Sequence, residues 1–174
     1  MMILLSLILA VSTCLPSEDA AGDVPELEVL DHYAGVWDVE MTIDPLDPNR
    51  EGKSFRGEVE AKWSVGGRFM EQTGSYRLSE EGQPIVIKTL MTYDTDERQY
   101  HYWLFLSSGG VRESRGHWNE QKKTMTSTMK SADGDVTTTT ADFSKAGEEN
   151  WTIETRHADN SLAFRIHGKN TRRK

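Results

Sequence analysis

The stretch Gly35-Val36-Trp37-Asp38-Val39-Glu40-Met41-Thr42-Ile43 decides the fold, because apolar and polar side chains alternate from its tryptophan to its end. Every second residue from Trp37 to Ile43 is apolar, and the positions between them carry acidic or threonine side chains. In an extended chain, alternate side chains point to opposite faces. The stretch therefore predicts a β-strand with one buried face and one solvated face.

The rest of the chain repeats this pattern up to its C-terminus, in about ten short segments separated by turns rich in Gly, Asn and Asp. Connections this short hold no crossover helix, so successive strands must pair antiparallel. Apolar residues between Pro25 and His32 predict one short helix before the first strand. The sequence thus predicts an all-β fold, a single up-and-down antiparallel barrel of about ten strands with a short N-terminal helix.

The first residues differ from the rest. Ile3 to Val11 is an apolar run of signal-peptide length, and small residues and Cys14 follow it. We expect residues 1–14 to be a signal peptide or a lipoprotein signal with lipid on Cys14, and residues 15–24 to be a polar linker. The competing interpretation is a buried or frayed N-terminal segment with an incidental thiol. An exported protein would be secreted or periplasmic, and it would contact the membrane only through the signal peptide or the lipid anchor.

The remaining chain is long enough for one domain with a core of its own. We assign residues 25–170 to the barrel domain and residues 171–174 to a basic, solvated tail. The net charge of -8 gives nucleic-acid binding no electrostatic support. The sequence leaves the oligomeric state open.

Four short motifs follow one another on successive predicted strands: Gly35-x-Trp37, Gly66-Gly67-Arg68-Phe69, Tyr93-Asp94 and Tyr100-x-x-Trp103. In this order, over about Leu27 to Gly168, the chain resembles a bacterial family of exported proteins catalogued as domain of unknown function 1579. Its opening also resembles the calycin group of lipocalins, fatty-acid-binding proteins and nitrobindin-like barrels. The resemblance implies a calycin-like barrel with an internal pocket, and it supplies no catalytic residue.

Two structural or cofactor roles come from the same resemblance. In calycin barrels the tryptophan of the first strand closes one end of the barrel and packs against a basic side chain near the last strand. Trp37 and Arg165 match this floor pair. Nitrobindin-like barrels bind haem iron through a C-terminal histidine, which His167 would match, although a solvated histidine beside a basic tail is the plainer interpretation.

Large aromatic side chains at predicted inward positions favour a ligand cavity, because they combine apolar surface with a few groups that can form hydrogen bonds. The competing interpretation is that they simply fill the core. The leading hypothesis is a non-enzymatic barrel that binds a small, largely apolar molecule. The alternatives are a haem-binding barrel that uses His167, a small enzyme of unknown reaction, and a structural interaction module. The candidates for the cavity are Trp63, Tyr76, Tyr93, Tyr102 and Phe164.

Metal and catalytic motifs are weak in this sequence. The five histidines have no spacing that would preform a zinc site, so we expect no metal and no cofactor unless haem binds. No Gly-x-Ser-x-Gly elbow, phosphate loop or dinucleotide motif occurs. An enzyme would require polar groups with perturbed pKa values that converge inside the cavity.

Overall fold

The computed structural model describes residues 24–46, 51–77 and 83–174. The predicted signal in residues 1–14, the lipidation candidate Cys14 and nearly all of the predicted linker lie outside the described residues. Among the residues that are described, no helix has the length and apolar character needed to span a bilayer.

Ten antiparallel strands form a closed barrel in which each strand pairs with its neighbours in sequence and β1 pairs with β10. This confirms the predicted all-β, up-and-down barrel. The alternation along β1 is also confirmed, since Trp37 and Val39 are buried while Asp38 and Glu40 are exposed. The strands are β1 Gly35–Ile43, β2 Lys53–Ser64, β3 Phe69–Arg77, β4 Ile85–Asp94, β5 Gln99–Leu106, β6 Val111–Asn119, β7 Thr124–Lys130, β8 Val136–Asp142, β9 Glu148–Arg156 and β10 Leu162–Arg172.

The predicted short helix is a 3₁₀ helix over Pro25–His32 that closes one end of the barrel. Pro25 suits the first turn, where its missing N–H has no helical partner to lose. Leu30 is fully buried against the barrel core. The hydroxyl of Tyr100, on β5, donates a hydrogen bond to the carbonyl of Glu26 at 2.8 Å. We call this the helix end of the barrel and the opposite rim the loop end.

The last two strands are longer than the alternation alone predicts. β10 continues to Arg172, so the assignment of residues 171–174 to a separate solvated tail is wrong for its first two residues. Thr171 pairs with Glu148 on β9, and Arg172 pairs with Trp37 on β1. Arg173 then forms ion pairs with Asp38 and Glu58. Cross-strand partners hold the basic residues in the sheet, which the local composition does not reveal.

The basic partner of Trp37 is Arg172 and not Arg165, which corrects the floor pair. The Arg172 guanidinium lies 4.5 Å from the centre of the Trp37 ring and donates to the carbonyl of His32 at 2.9 Å. Arg165 lies at the loop end, where its carbonyl accepts a hydrogen bond from the N–H of Asp44 at 2.9 Å. The register of β1 against β10 determines which arginine contacts Trp37. Trp37 lies opposite Arg172, whereas Ile43, at the other end of β1, lies opposite Ile166.

Candidate functional site

A cavity of about 190 Å³ lies inside the barrel between the helix end and the loop end. Its wall comes from the inward faces of β2 to β10 and from Tyr33, which follows the helix. Apolar side chains form much of this wall. They include Val59, Ile87, Met91, Leu104, Met125 and Ile153.

The volume limits what the cavity can hold. Pockets for drug-sized ligands measure about 300–1,000 Å³. The cavity is smaller than this, because the barrel's own side chains fill much of the interior. A buried apolar cavity of about 150 Å³ is sufficient to bind benzene. The cavity therefore has room for a molecule of one ring or a short branched chain.

A directed set of hydrogen bonds forms one side of the cavity. The indole N–H of Trp151 donates to Oδ1 of Asn170 at 2.8 Å, and Nδ2 of Asn170 donates to Oε2 of Glu149 at 2.5 Å. Glu149 and Asn170 are direct cross-strand partners on β9 and β10. We call these three residues the Glu149 relay.

Glu149 is an acidic residue in an unusual position, because it is only 6% exposed and lines the cavity. Burial raises the pKa of its carboxyl group to about 7, and the hydrogen bond from Asn170 opposes part of that rise. None of the ion pairs formed by the described residues includes this carboxyl group. A buried carboxyl group without a counter-charge is expensive to ionise, which makes it a candidate functional group.

Three tyrosines complete the polar side of the cavity. Burial raises the pKa values of Tyr33, Tyr76 and Tyr102, that of Tyr76 to about 12, and the charge of Glu149 adds to all three shifts. These hydroxyls therefore stay neutral at physiological pH. Glu149 is the group of this wall that titrates near neutrality.

The hydroxyl of Tyr102 is buried and interacts with the hydroxyl of Tyr33, but no contact of normal hydrogen-bond geometry satisfies it among the described residues. Its side chain lines the cavity. A buried hydroxyl without a partner costs free energy that a bound molecule with a polar atom would recover.

The chain matches the family described as "Protein of unknown function (DUF1579)" over residues 24–160. It belongs to the DUF1579 family. The match covers β1 to β9 and stops before β10 begins at Leu162, so it includes Glu149 and Trp151 but not Asn170. No curated protein matches the chain.

The DUF1579 chain is also similar to a solved structure, "Crystal Structure of Rv2717c from M. tuberculosis". The two share 14% sequence identity with a TM-score of 0.64, and the alignment covers 87% of this chain and 99% of that chain. A likeness at this identity supports the barrel fold, in agreement with the predicted calycin-like architecture.

Two of the five predicted cavity residues, Tyr76 and Tyr102, line the cavity of this DUF1579 barrel. Trp63 lies nearer the helix end, where its indole N–H donates to Asp31 at 2.7 Å. Tyr93 packs edge-on against Tyr100, with ring centres 5.0 Å apart. Phe164 is 36% exposed and is not part of the cavity wall.

His167 lies on the outer face of the barrel, contrary to the inward orientation that a floor role for Arg165 would have given it. Its side chain is 55% exposed, and Nδ1 lies 3.0 Å from Asp44. Its neighbours Ile166 and Gly168 occupy the inward face, opposite Ile153 and Trp151 of β9. No histidine occurs in the cavity wall that the described residues form.

Glu149, Trp151 and Asn170 were not among the cavity residues predicted from the sequence. The signal was present: Glu149, Trp151 and Ile153 occupy alternate positions, so an earlier start of β9 would have placed the acidic residue on the inward face. The alternation predicts a ninth strand that begins only at Trp151, which leaves Glu149 in the polar turn before it. Asn170 was missed because it lies in the part of β10 that follows Gly168.

Proposed function

We propose that this DUF1579 barrel binds a small, largely apolar molecule in its interior cavity and does so without chemical change. The observation that carries the proposal is a cavity of about 190 Å³ with a mainly apolar wall and a small polar region around Glu149. Apolar walls with few convergent polar groups are typical of small-molecule sites. The hydroxyl of Tyr102, which has no hydrogen bond of normal geometry among the described residues, supports the same function.

A cavity-filling variant tests the proposal. Ser127 on β7 is buried and lines the cavity, so Ser127→Leu places additional carbon atoms in the space a ligand would occupy. Thr126 precedes it on the same strand and faces outward, which makes Thr126→Leu the matched control. Binding of benzyl alcohol is followed by calorimetry and by NMR of the methyl groups of Met91 and Met125, both in the wall.

We expect wild type and Thr126→Leu to bind benzyl alcohol with similar affinity and Ser127→Leu to lose at least about tenfold. The methionine methyl signals should shift on binding in the first two proteins. Equal binding in all three proteins would contradict an interior ligand site.

The haem alternative would require an axial ligand facing the cavity, and the described wall offers no histidine for this role. The enzyme alternative has one supporting observation, because a carboxyl group with a pKa of about 7 suits general acid–base catalysis. Recovery of candidate ligands unchanged after long incubation would favour a binding protein, and turnover abolished in Glu149→Gln would favour an enzyme.

We also propose that the protein is exported. The apolar run Ile3 to Val11 and the small residues before Cys14 support this. The intact mass of the protein recovered from its host would show either cleavage before the barrel domain or a lipid on Cys14. A full-length chain that begins at Met1 and remains in the cytoplasm would contradict export.

A further inference from the structure

The direction of the hydrogen bonds in the Glu149 relay defines what the carboxyl group can bind. An indole N–H only donates, so the Asn170 atom that faces Trp151 is the carbonyl oxygen. The amide nitrogen of Asn170 must then face Glu149 and donate to it. Both hydrogen bonds therefore point toward the carboxyl group and favour its ionised form.

The cavity holds no positive charge to match this carboxylate. Lysine, arginine and histidine are all missing from the wall that the described residues form, and Glu149 has no ion-pair partner among them. The groups that face Glu149 from the helix end, β3, β5 and β10 are Tyr33, Tyr76, Tyr102 and Asn170, all of them neutral. A ligand that carries a cation would supply the missing partner.

The aromatic part of the wall suits a cation as well. Trp151, Tyr33, Tyr76 and Tyr102 line the same small cavity as Glu149. The faces of tryptophan and tyrosine rings attract ammonium groups, and the attraction increases when the cation has lost its water. A cationic group in a cavity of this size would contact several of these side chains at once.

We propose that the ligand of this site is a small apolar amine, whose protonated nitrogen binds the Glu149 carboxylate while its apolar body lies against the wall near Ile87, Leu104 and Ile153. This inference rests on the proposed function and names its ligand class. A molecule with a carboxylate head is disfavoured wherever Glu149 is ionised, because the two negative charges would face each other without a cation between them.

Three probes with one ring and different head groups test the inference: benzylamine, benzyl alcohol and benzoate. By calorimetry at about pH 8, where the amine is still largely protonated, we expect wild type to bind benzylamine at least about tenfold more tightly than benzyl alcohol, and benzoate at least about tenfold more weakly. Glu149→Gln keeps the shape of the side chain and removes its charge. In this variant the affinities for benzylamine and benzyl alcohol should agree within about twofold.

Glu148→Gln is the matched control, because Glu148 precedes Glu149 on β9 and pairs outside the barrel with Lys145 and Lys169. It should keep the preference for benzylamine. Should Glu149→Gln fail to fold, wild type alone suffices: the affinity for benzylamine should fall by up to about tenfold per pH unit below pH 7, since the amine must displace a proton, while that for benzyl alcohol stays level.

The outcomes separate this inference from the proposed function. If benzyl alcohol binds and Ser127→Leu blocks it, but benzylamine has no advantage or benzoate binds best, the cavity is a ligand site and the amine inference is wrong. If none of the three probes binds wild type, both are wrong. A preference for benzylamine that survives in Glu149→Gln also overturns the inference.

Discussion

Asn170 and Glu149 face each other across β10 and β9 inside the barrel, with 2.5 Å between the amide nitrogen and the carboxyl oxygen. This contact places a carboxyl group in the wall of an otherwise largely apolar cavity and fixes the side from which it receives a hydrogen bond. Buried acidic residues are rare unless they are paired. The cost of burying this one gives it a measurable effect on stability.

The first prediction concerns pH and stability. The pKa of Glu149 is about 7 in the folded protein and near the ordinary 4.5 when unfolded. Between these values the folded state binds the extra proton, so the contribution of Glu149 to stability is most favourable below pH 4.5 and declines until pH 7. Relative to wild type, Glu149→Gln should therefore gain roughly 3 kcal/mol in free energy of unfolding from pH 4 to pH 8.

Denaturant unfolding of both proteins at pH 4, 6 and 8 measures this difference. Glu148→Gln is the control with the opposite sign, because hydrogen bonds from Lys145 and Lys169 lower the pKa of Glu148. Its ionised form is the stabilising one, so this variant should lose a little stability at pH 8. If the difference in free energy of unfolding between Glu149→Gln and wild type does not depend on pH, the raised pKa of the buried Glu149 carboxyl group is contradicted.

The second prediction compares two tyrosines on the inward face of β5. Tyr102→Phe removes a buried hydroxyl whose contact with the Tyr33 hydroxyl falls short of normal hydrogen-bond geometry, and should leave the free protein nearly as stable as wild type. Tyr100→Phe removes a hydroxyl that donates to Glu26 and should cost about 1 kcal/mol. Thermal unfolding of the two variants checks the sign. Equal losses would mean that Tyr102 and Tyr33 form a full hydrogen bond in solution.

The third prediction tests the closed end of the barrel. Arg172→Ala removes the guanidinium over Trp37 and should lower the free energy of unfolding by about 1 kcal/mol. Arg165→Ala removes only a half-exposed ion pair with Glu154 and should change stability less. The tryptophan fluorescence should change in the first variant alone, because of these two arginines only Arg172 lies over a tryptophan ring. A larger loss in Arg165→Ala would restore the floor pair expected from the sequence.

The fourth prediction concerns Gly168, which lies directly under the Trp151 ring. A Cβ at this position would collide with Cζ2 of Trp151, and the ring cannot move away without breaking its hydrogen bond to Asn170. Gly168→Ala should therefore cost about 1–3 kcal/mol and weaken ligand binding. At Gly110 the nearest atom is the flexible end of Leu106, so Gly110→Ala is the control that should be tolerated.

The features that could be predicted from the sequence are those that depend on the residues of one strand or one turn. The alternation from Trp37 to Ile43, the turn residues and the short connections were sufficient for the closed ten-strand barrel and its helix. Tyr76 and Tyr102 were found in the same way, as inward aromatic residues. Contacts between distant strands were not accessible. Arg172 over Trp37, and Asn170 beside Glu149, depend on the register of β10, which no local pattern fixes.

The crystal structure of the protein soaked with benzylamine tests the central claim most directly. We predict density for the ring inside the cavity against Trp151, with the amine nitrogen at a hydrogen-bond distance of about 2.7–3.2 Å from the Glu149 carboxyl group. An interior filled by the protein's own side chains and free of ligand density would contradict the account. So would a bound amine whose nitrogen points away from Glu149 toward Ile87 and Leu104.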